Sequence, residues 1–319
     1  MTILLTGCAG FIGSHLLDRL LKDGHTVIGV DSFNDFYDPR LKRANIDPHL
    51  KNERFFLIEK DIRSLVSADL PTTNNLRPTT IIIHLAARAG VRASIEKPFL
   101  YEQVNYAGTL HLLELMRELK IQHMIFGSSS SVYGNLNKVP FSEQDENWPI
   151  SPYGVTKRAG ELLAHAYSKL YPMNILCLRF FTVYGPRNRP DMAAYKFMKS
   201  IAEGKKIKAY GRKTSRDFTY VGDIIDGILL SIQRMRKSKQ GFDVINLGNS
   251  SPVTVLEFIS TLEKTIGKKA GVSLSPLPPG DMEKTYADVR KAKQVLNWEP
   301  KTTLEKGLQN MWKWYKDVI

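Results

Sequence analysis

Tyr153 and Lys157, in the run Ser151-Pro152-Tyr153-Gly154-Val155-Thr156-Lys157, stand four residues apart. On a helix that spacing puts both on one face, one turn apart. An ammonium beside a phenol favours the phenolate and lowers the tyrosine pKa. A tyrosine tuned in this way takes a proton from a sugar or alcohol hydroxyl, or returns it. The same spacing occurs in surface Tyr-Lys pairs without chemistry, so its meaning depends on what the rest of the chain builds around it.

The elements that must position this pair begin at the N-terminus. Ile3-Leu4-Leu5 reads as a short buried strand, followed by Gly7, Gly10 and Gly13 in the pattern G-x-x-G-x-x-G. An amphipathic helix follows with Ile12, Leu16, Leu17, Leu20 and Leu21 on its apolar face, then a second strand, Thr26 to Val30, with Asp31 at its end. Glycines permit a tight turn and close approach of a pyrophosphate, which the helix N-terminus attracts. An acid after the second strand accepts hydrogen bonds from ribose hydroxyls. It also repels a 2′-phosphate, and Ser32 and Phe33 bring no compensating cation, so the unit predicts NAD rather than NADP.

Strands are also predicted at 55–58, ending near Asp61, at 81–85, leading to Ala86-Ala87, at 123–126 and at 174–178. Helices lie between them, over 106–119 and 153–170. This alternation predicts an α/β fold, a Rossmann-like doubly wound parallel sheet, with ligands beyond the carboxyl ends of the strands. Gly7, Asp31, Asp61, Ala86, Ser128 and Thr182 all follow predicted strands and should converge, whereas His84, inside an apolar strand, reads as a core residue. Residues 1–181 form the predicted cofactor domain, with later segments near 217–250 returning to it, and 182–319 form mainly a smaller α/β substrate domain.

The 319 residues are 43% hydrophobic and 24% charged, enough for a sizeable core and against disorder. Net charge is +13, but the basic residues are scattered. The groups at 205–208 and 234–239 read as solvated helix ends or loops, so no nucleic-acid partner is expected. Cys8 and Cys177 lie in apolar runs and read as reduced thiols. Without a signal peptide or a membrane-length apolar run, a cytoplasmic location is expected. No metal site is assigned.

With these residues assembled, the whole chain resembles an extended short-chain dehydrogenase/reductase. The matching runs are Thr6 to Gly13, His84-Leu85-Ala86-Ala87, Ser128 to Gly134, the Tyr153/Lys157 pair, Leu178 to Pro186, and Arg216 to Val221. Within that family it is most similar to nucleotide-sugar 4-epimerases, and to UDP-glucuronate 4-epimerases through Arg189-Pro190-Asp191-Met192-Ala193. It departs from that subfamily at Asn188, usually Gly, and at Arg88, usually Gln. The resemblance implies NAD as cofactor, held by Gly7, Gly10, Phe11, Ile12, Gly13, Asp31, Asn34, Asp61, Ile62, Leu85, Ala86, Ala87, Tyr153 and Lys157. It implies Tyr153, Lys157 and Ser129 as catalytic residues, with any of Ser128 to Ser131 open for the hydroxyl role. It places the UDP-sugar against Arg88, Ser128, Ser129, Ser130, Thr182, Arg189, Tyr210, Arg216 and Asp281, with Arg216 on the pyrophosphate and Tyr210 stacked on uracil. The alternative for Arg216 is a salt bridge to Asp217 or Asp223.

The serine run separates related reactions. The 4,6-dehydratases of this fold carry Asp-Glu just after the catalytic hydroxyl, and the glucuronate decarboxylases a glutamate two positions after it. Ser130 and Ser131 stand there instead, and serine cannot replace a carboxylate in acid/base work at neutral pH. Epimerisation of UDP-glucuronate to UDP-galacturonate is therefore the expectation. A UDP-glucose/galactose or N-acetylhexosamine 4-epimerase is the main alternative, and a decarboxylase or a non-catalytic NAD-binding protein stands behind it. Relatives commonly form homodimers through two cofactor-domain helices, here those beginning near Phe99 and Pro152.

Overall fold

The computed structural model describes residues 1–71, 80–136, 138–237 and 241–318, so Ser238 and Lys239 of the second basic group lie outside it. The cofactor half runs β1 (Thr2–Thr6), α1 (Phe11–Lys22), β2 (Thr26–Asp31), α2 (Pro39–Ile46), β3 (Phe55–Glu59), β4 (Ile81–His84), α3 (Val91–Glu96) and α4 (Pro98–Tyr101). A π-helical turn (Glu102–Ala107) leads into α5 (Gly108–Glu118), then β5 (His123–Ser129), α6 (Pro152–Leu170) and β6 (Asn174–Phe180). The rest comprises β7 (Thr182–Tyr184), α7 (Ala193–Ala202), β8 (Ile207–Tyr210), β9 (Ser215–Tyr220), α8 (Val221–Met235), β10 (Gly241–Leu247), β11 (Pro252–Thr254), α9 (Val255–Ile266), β12 (Val272–Ser275), α10 (Arg290–Leu296) and α11 (Leu304–Val318).

Seven strands form one sheet in the order β10-β6-β5-β4-β1-β2-β3, every pair parallel. Parallel strands buried on both faces need near-continuous apolar runs, and Ile3-Leu4-Leu5 and Ile81-Ile82-Ile83 supply them at 0% exposure. The strand order reverses between β1 and β4, which opens a crevice at their carboxyl ends. On one face Leu16, Leu17 and Leu20 of α1 pack with Ile224, Ile228 and Ile232 of α8, so chain beyond residue 220 covers the same sheet. On the other face, Leu112, Leu113 and Met116 of α5 pack over Leu4 and Ile82.

α6 starts where Ser151 Oγ accepts the Gly154 N–H at 3.2 Å and Pro152 takes the first helical position, where no N–H is needed. A Cβ on Gly160 would lie 2.6 Å from the Phe126 ring, so this glycine lets α6 sit hard against β5. The second core, around Tyr184, Met198, Phe258 and Met311, joins β9 to α7, α9 and α11, and α9 is closed by a Thr254/Glu257 capping box. Trp298 is buried at 2% exposure, while Trp312 and Trp314 pack on the edge of this second core.

The helix expected over 106–119 is preceded by the π-helical turn, which sequence periodicity did not indicate. Its residue Asn105 is buried, accepts the Arg88 N–H at 2.7 Å, and donates to Arg88 O at 2.9 Å and Thr156 Oγ1 at 3.1 Å. The wide turn thus ties the strand-β4 exit to α6, a use typical of such bulges. His84 is a core residue, 2% exposed between Thr6 and Thr109, and burial pushes its imidazole down to about 3.

Candidate active site

A cavity of about 800 Å³ opens at the carboxyl ends of the strands. Every residue assigned to the cofactor from the sequence lines it, as do Arg88, Ser128, Ser129 and Arg189. Ser130 and Thr182 do not line it, nor do Tyr210, Arg216 and Asp281, which gather around Arg92 instead.

The lining fits a dinucleotide. Gly7 has φ +72°, and a Cβ there would stand 2.8 Å from Ala86 N. A Cβ at Gly13 would collide with the Gly7 carbonyl, so the turn stays bare and close to the strand ends. No side chain caps the N-terminus of α1, which leaves its first N–H groups to an anion. Asp31 is 8% exposed and accepts N–H groups of Ala9 at 3.2 Å and Phe33 at 3.0 Å, which fix its carboxylate at the cavity wall. Burial raises its pKa, and those hydrogen bonds oppose the rise. Ser32 and Phe33 bring no cation, as expected, but one reaches Asp31 from further along the chain. Lys42, brought in by α2, acts on Asp31 electrostatically, and its Nζ donates to Asn34 O at 2.8 Å and Oδ1 at 3.3 Å. Its position eleven residues downstream hid it, and its hydrogen bonds to Asn34 leave the acid in place. Asp61 accepts Arg63 Nε at 2.9 Å and Nη2 at 2.8 Å, which holds its carboxyl below the usual range.

The three residues assigned catalytic roles from the sequence share this cavity, but the electrostatics differ from the expectation. Lys157 is 5% exposed and its Nζ donates to Gly127 O at 2.7 Å, 5.0 Å above the Phe126 ring. Desolvation pushes it down to about 8, opposed by Glu161. The Tyr153 phenol is raised rather than lowered, because desolvation outweighs the opposing effects of the Ser129 hydroxyl and the Arg189 charge. The cation acting on the phenol is thus Arg189, held bidentate by Asp191 at 2.9 and 2.6 Å, and Lys157 is turned to the backbone of β5.

The hydroxyls of the serine run are also sorted. Ser128 Oγ donates to Glu161 Oε1 at 2.7 Å and is directed to the core, although its residue borders the cavity. Ser129 is the serine that acts on the Tyr153 phenol, and its Oγ accepts the Ser131 N–H at 3.1 Å and donates to Ser131 Oγ at 3.2 Å.

Several residues were missed in the sequence. Glu161 and Arg179, 0% and 1% exposed, form a bidentate pair at 2.8 Å beneath Ser128. A charge within the apolar run around Leu178 was the available signal, since a buried charge must be paired. Phe36 lies between two guanidiniums, 5.3 Å from that of Arg88 and 5.2 Å from that of Arg189. Arg216 makes neither of the alternative salt bridges: Asp217 is consumed by N–H groups of Asn249, Ser250 and Ala287, and Asp223 by Thr302. The Tyr210 face carries Arg92, a residue the sequence did not single out.

A doubly wound sheet with this bare glycine turn and a tyrosine, a serine and a lysine at its open end places the protein among the extended short-chain dehydrogenases/reductases. The chain belongs to the family described as GDP-mannose 4,6 dehydratase, whose sequence model matches residues 4–311. It is 42% identical over 319 residues to the UDP-glucuronate 4-epimerase of Thermodesulfobacterium geofontis, covering 99% of this chain and 96% of that one. The structure superposes with TM-score 0.91 on the UDP-glucuronic acid 4-epimerase of Bacillus cereus in complex with UDP-glucuronic acid and NAD, at 38% identity and 100% coverage of both chains. Against the UDP-glucose 4-epimerase of Thermotoga maritima with UDP-glucose the TM-score is 0.86 and the identity 29%, covering 100% of this chain and 99% of that one.

Proposed function

We propose that this protein is an NAD-dependent UDP-sugar 4-epimerase that interconverts UDP-glucuronate and UDP-galacturonate. The observation that carries the reading is the full-length similarity to UDP-glucuronate 4-epimerases, joined to Tyr153, Ser129 and Lys157 lining one dinucleotide cavity. When bound, NAD supplies the acceptor, and afterwards the donor, of the hydride at sugar carbon 4. Tyr153 takes the proton of the 4-hydroxyl, with Ser129 hydrogen-bonded to the same oxygen. Lys157 holds the nicotinamide ribose. The 4-keto sugar presents its other face, and Tyr153 returns the proton to give the inverted alcohol. A 4-keto glucuronate is a β-keto acid, so its carboxylate must be kept out of line with the ketone. Serines at 130 and 131, where a carboxylate would assist loss of carbon dioxide, fit retention of the carboxyl group. Arg88 and Arg189, lining the same cavity, supply positive charge for an acidic sugar.

Incubation with UDP-glucuronate and no added cofactor tests this. UDP-galacturonate without carbon dioxide release is expected, and its loss in Tyr153→Phe. Conversion of UDP-glucose or UDP-N-acetylglucosamine alone would replace the acidic substrate with a neutral one, and a fully active Tyr153→Phe would remove the mechanism. The protein works as a homodimer in this reading, supported by Phe99 at 81% exposure on α4 and by Val155 and Leu162, both about half exposed, on α6. A monomer in sedimentation velocity would overturn that assembly. A cytoplasmic location is supported by two free, buried cysteines, and no helix among the described residues is long and apolar enough to cross a membrane. Recovery of the protein outside the cytoplasm by fractionation would refute that location.

A further inference from the structure

Arg92 leaves the cofactor half on α3 and reaches across to the C-terminal half. Its Nη2 donates to Asp281 Oδ2 at 2.8 Å, and its guanidinium lies 4.2 Å from the centre of the Tyr210 ring. The loop carrying Asp281 is pressed against α3: a Cβ at Gly280 would stand 2.9 Å from Ile95 and 3.4 Å from Val91. That loop, Pro276 to Asp281, has no basic residue of its own. Beside it, Arg216 donates only Nη1, to the carbonyls of Ser215 at 3.0 Å and Glu283 at 3.2 Å, and pairs with no carboxylate among the described residues. Burial lowers the Arg216 pKa, with Asp281 opposing and Arg92 adding to the fall, so the two guanidiniums feel each other.

Two arginines beside a single carboxylate, which pairs with Arg92 alone, leave a local positive excess. Like charges are brought together at a cost that an anion placed between them removes. The Arg92–Asp281 pair is no strong structural tie, since the arginine side chain is 48% exposed and such pairs contribute little. Its guanidinium also covers the aromatic face of Tyr210, which a nucleobase would need.

We propose that Arg92 is a second diphosphate-binding residue, which exchanges Asp281 and the Tyr210 face for the substrate diphosphate and so completes the site of Arg216 from the opposite half of the molecule. This rests on the UDP-sugar reading above. Nucleotide binding then draws α3 and the C-terminal half onto one ligand, and the departing guanidinium uncovers Tyr210 for the base.

Calorimetric titration of UDP and of uridine into wild-type, Arg92→Met and Arg92→Lys proteins tests the assignment, with bound NAD content and melting temperature as folding controls. Arg92→Met should weaken UDP by about 10- to 100-fold, the loss of a charge-assisted contact, and leave uridine unchanged or tighter. Arg92→Lys should recover part of the UDP affinity, because the charge remains but the bidentate fork does not. Equal UDP affinity in wild type and Arg92→Met, or equal loss of UDP and uridine, would overturn the assignment. A wild-type protein that binds neither compound would instead overturn the UDP-sugar reading itself.

Discussion

Glu161→Gln is the substitution whose consequences the structure defines most sharply. The carboxylate is fully buried and accepts four hydrogen bonds: Ser128 Oγ at 2.7 Å, Arg179 Nε and Nη2 at 2.8 Å each, and Arg158 Nη1 at 2.9 Å. Glutamine keeps one oxygen acceptor and loses the charge. Arg179, 1% exposed and with its Nη1 already unpartnered, then remains a buried cation 4.7 Å from the Tyr133 ring with no counter-charge. Breaking such a pair costs about 3–5 kcal/mol. Against a total stability of about 5–15 kcal/mol, that is a large share. The melting midpoint should fall by about 4–8 °C.

A second variant separates stability from function. Replacing both Glu161 and Arg179 by Met removes the unpaired charge and should recover most of the lost stability. It should not recover activity, because Ser128 loses its anchor and Lys157 loses the negative charge that keeps its ammonium protonated. Melting curves and kcat/KM of wild type, single and double variants read both effects. A Glu161→Gln protein melting within a degree of wild type would refute the reasoning about stability, and a fully active double variant would refute the positioning role.

Two further outcomes follow from the same site. Lys157, held at about 8 by burial, should impose a fall in activity as pH rises through that value, measurable as the alkaline limb of kcat. Its effect on stability runs the other way. Between about 8 and 10.5 the unfolded chain binds a proton at Lys157 that the folded chain does not, so stability rises with pH across that window and the cost, about 3 kcal/mol, is fully present below it. Denaturant midpoints that fall from pH 8 to 10 in wild type relative to Lys157→Met would contradict this sign. Ser131→Glu places a carboxylate two residues after Ser129, so the share of UDP-glucuronate released as carbon dioxide and UDP-pentose should increase several-fold. An unchanged product ratio counts against the view that the serine loop protects the 4-keto acid.

The cofactor half was legible because its signals are local. A buried strand, bare glycines, a helix of period 3.6 and a terminal acid lie within the first 31 residues, and each is required by the same ligand. β10 joins the same sheet beside β6, where Val244, Ile245 and Leu247 supply the apolar side chains a buried parallel strand needs. Contacts carried by long side chains between distant segments left no comparable trace. Lys42 beside Asp31, Arg92 on Tyr210 and Arg189 beside Tyr153 each come from a different loop or helix, and no periodicity records where a lysine or arginine will reach.

The Tyr153/Lys157 pair shows where local reading stops. Spacing identified two residues on one helical face, but a pKa is set by desolvation as well as by the nearest charge. Close packing of α6 on β5, allowed by Gly160, buries Lys157 and partly desolvates Tyr153 at the cavity wall, so the phenol rises and the ammonium falls. Burial works against the ion pair that the spacing suggested. The opposing contributions come from outside the motif: Ser129 and Arg189 act on the phenol, and Glu161 acts on the lysine. Glu161 is one turn beyond Lys157 and also holds Ser128, so one carboxylate steadies both the lysine and the start of the serine loop. The reactive pair is therefore better regarded as part of a buried network of Ser128, Glu161, Arg179, Lys157 and Tyr133 than as two residues on a helix. In the proposed mechanism, proton transfer at Tyr153 depends on that network staying intact.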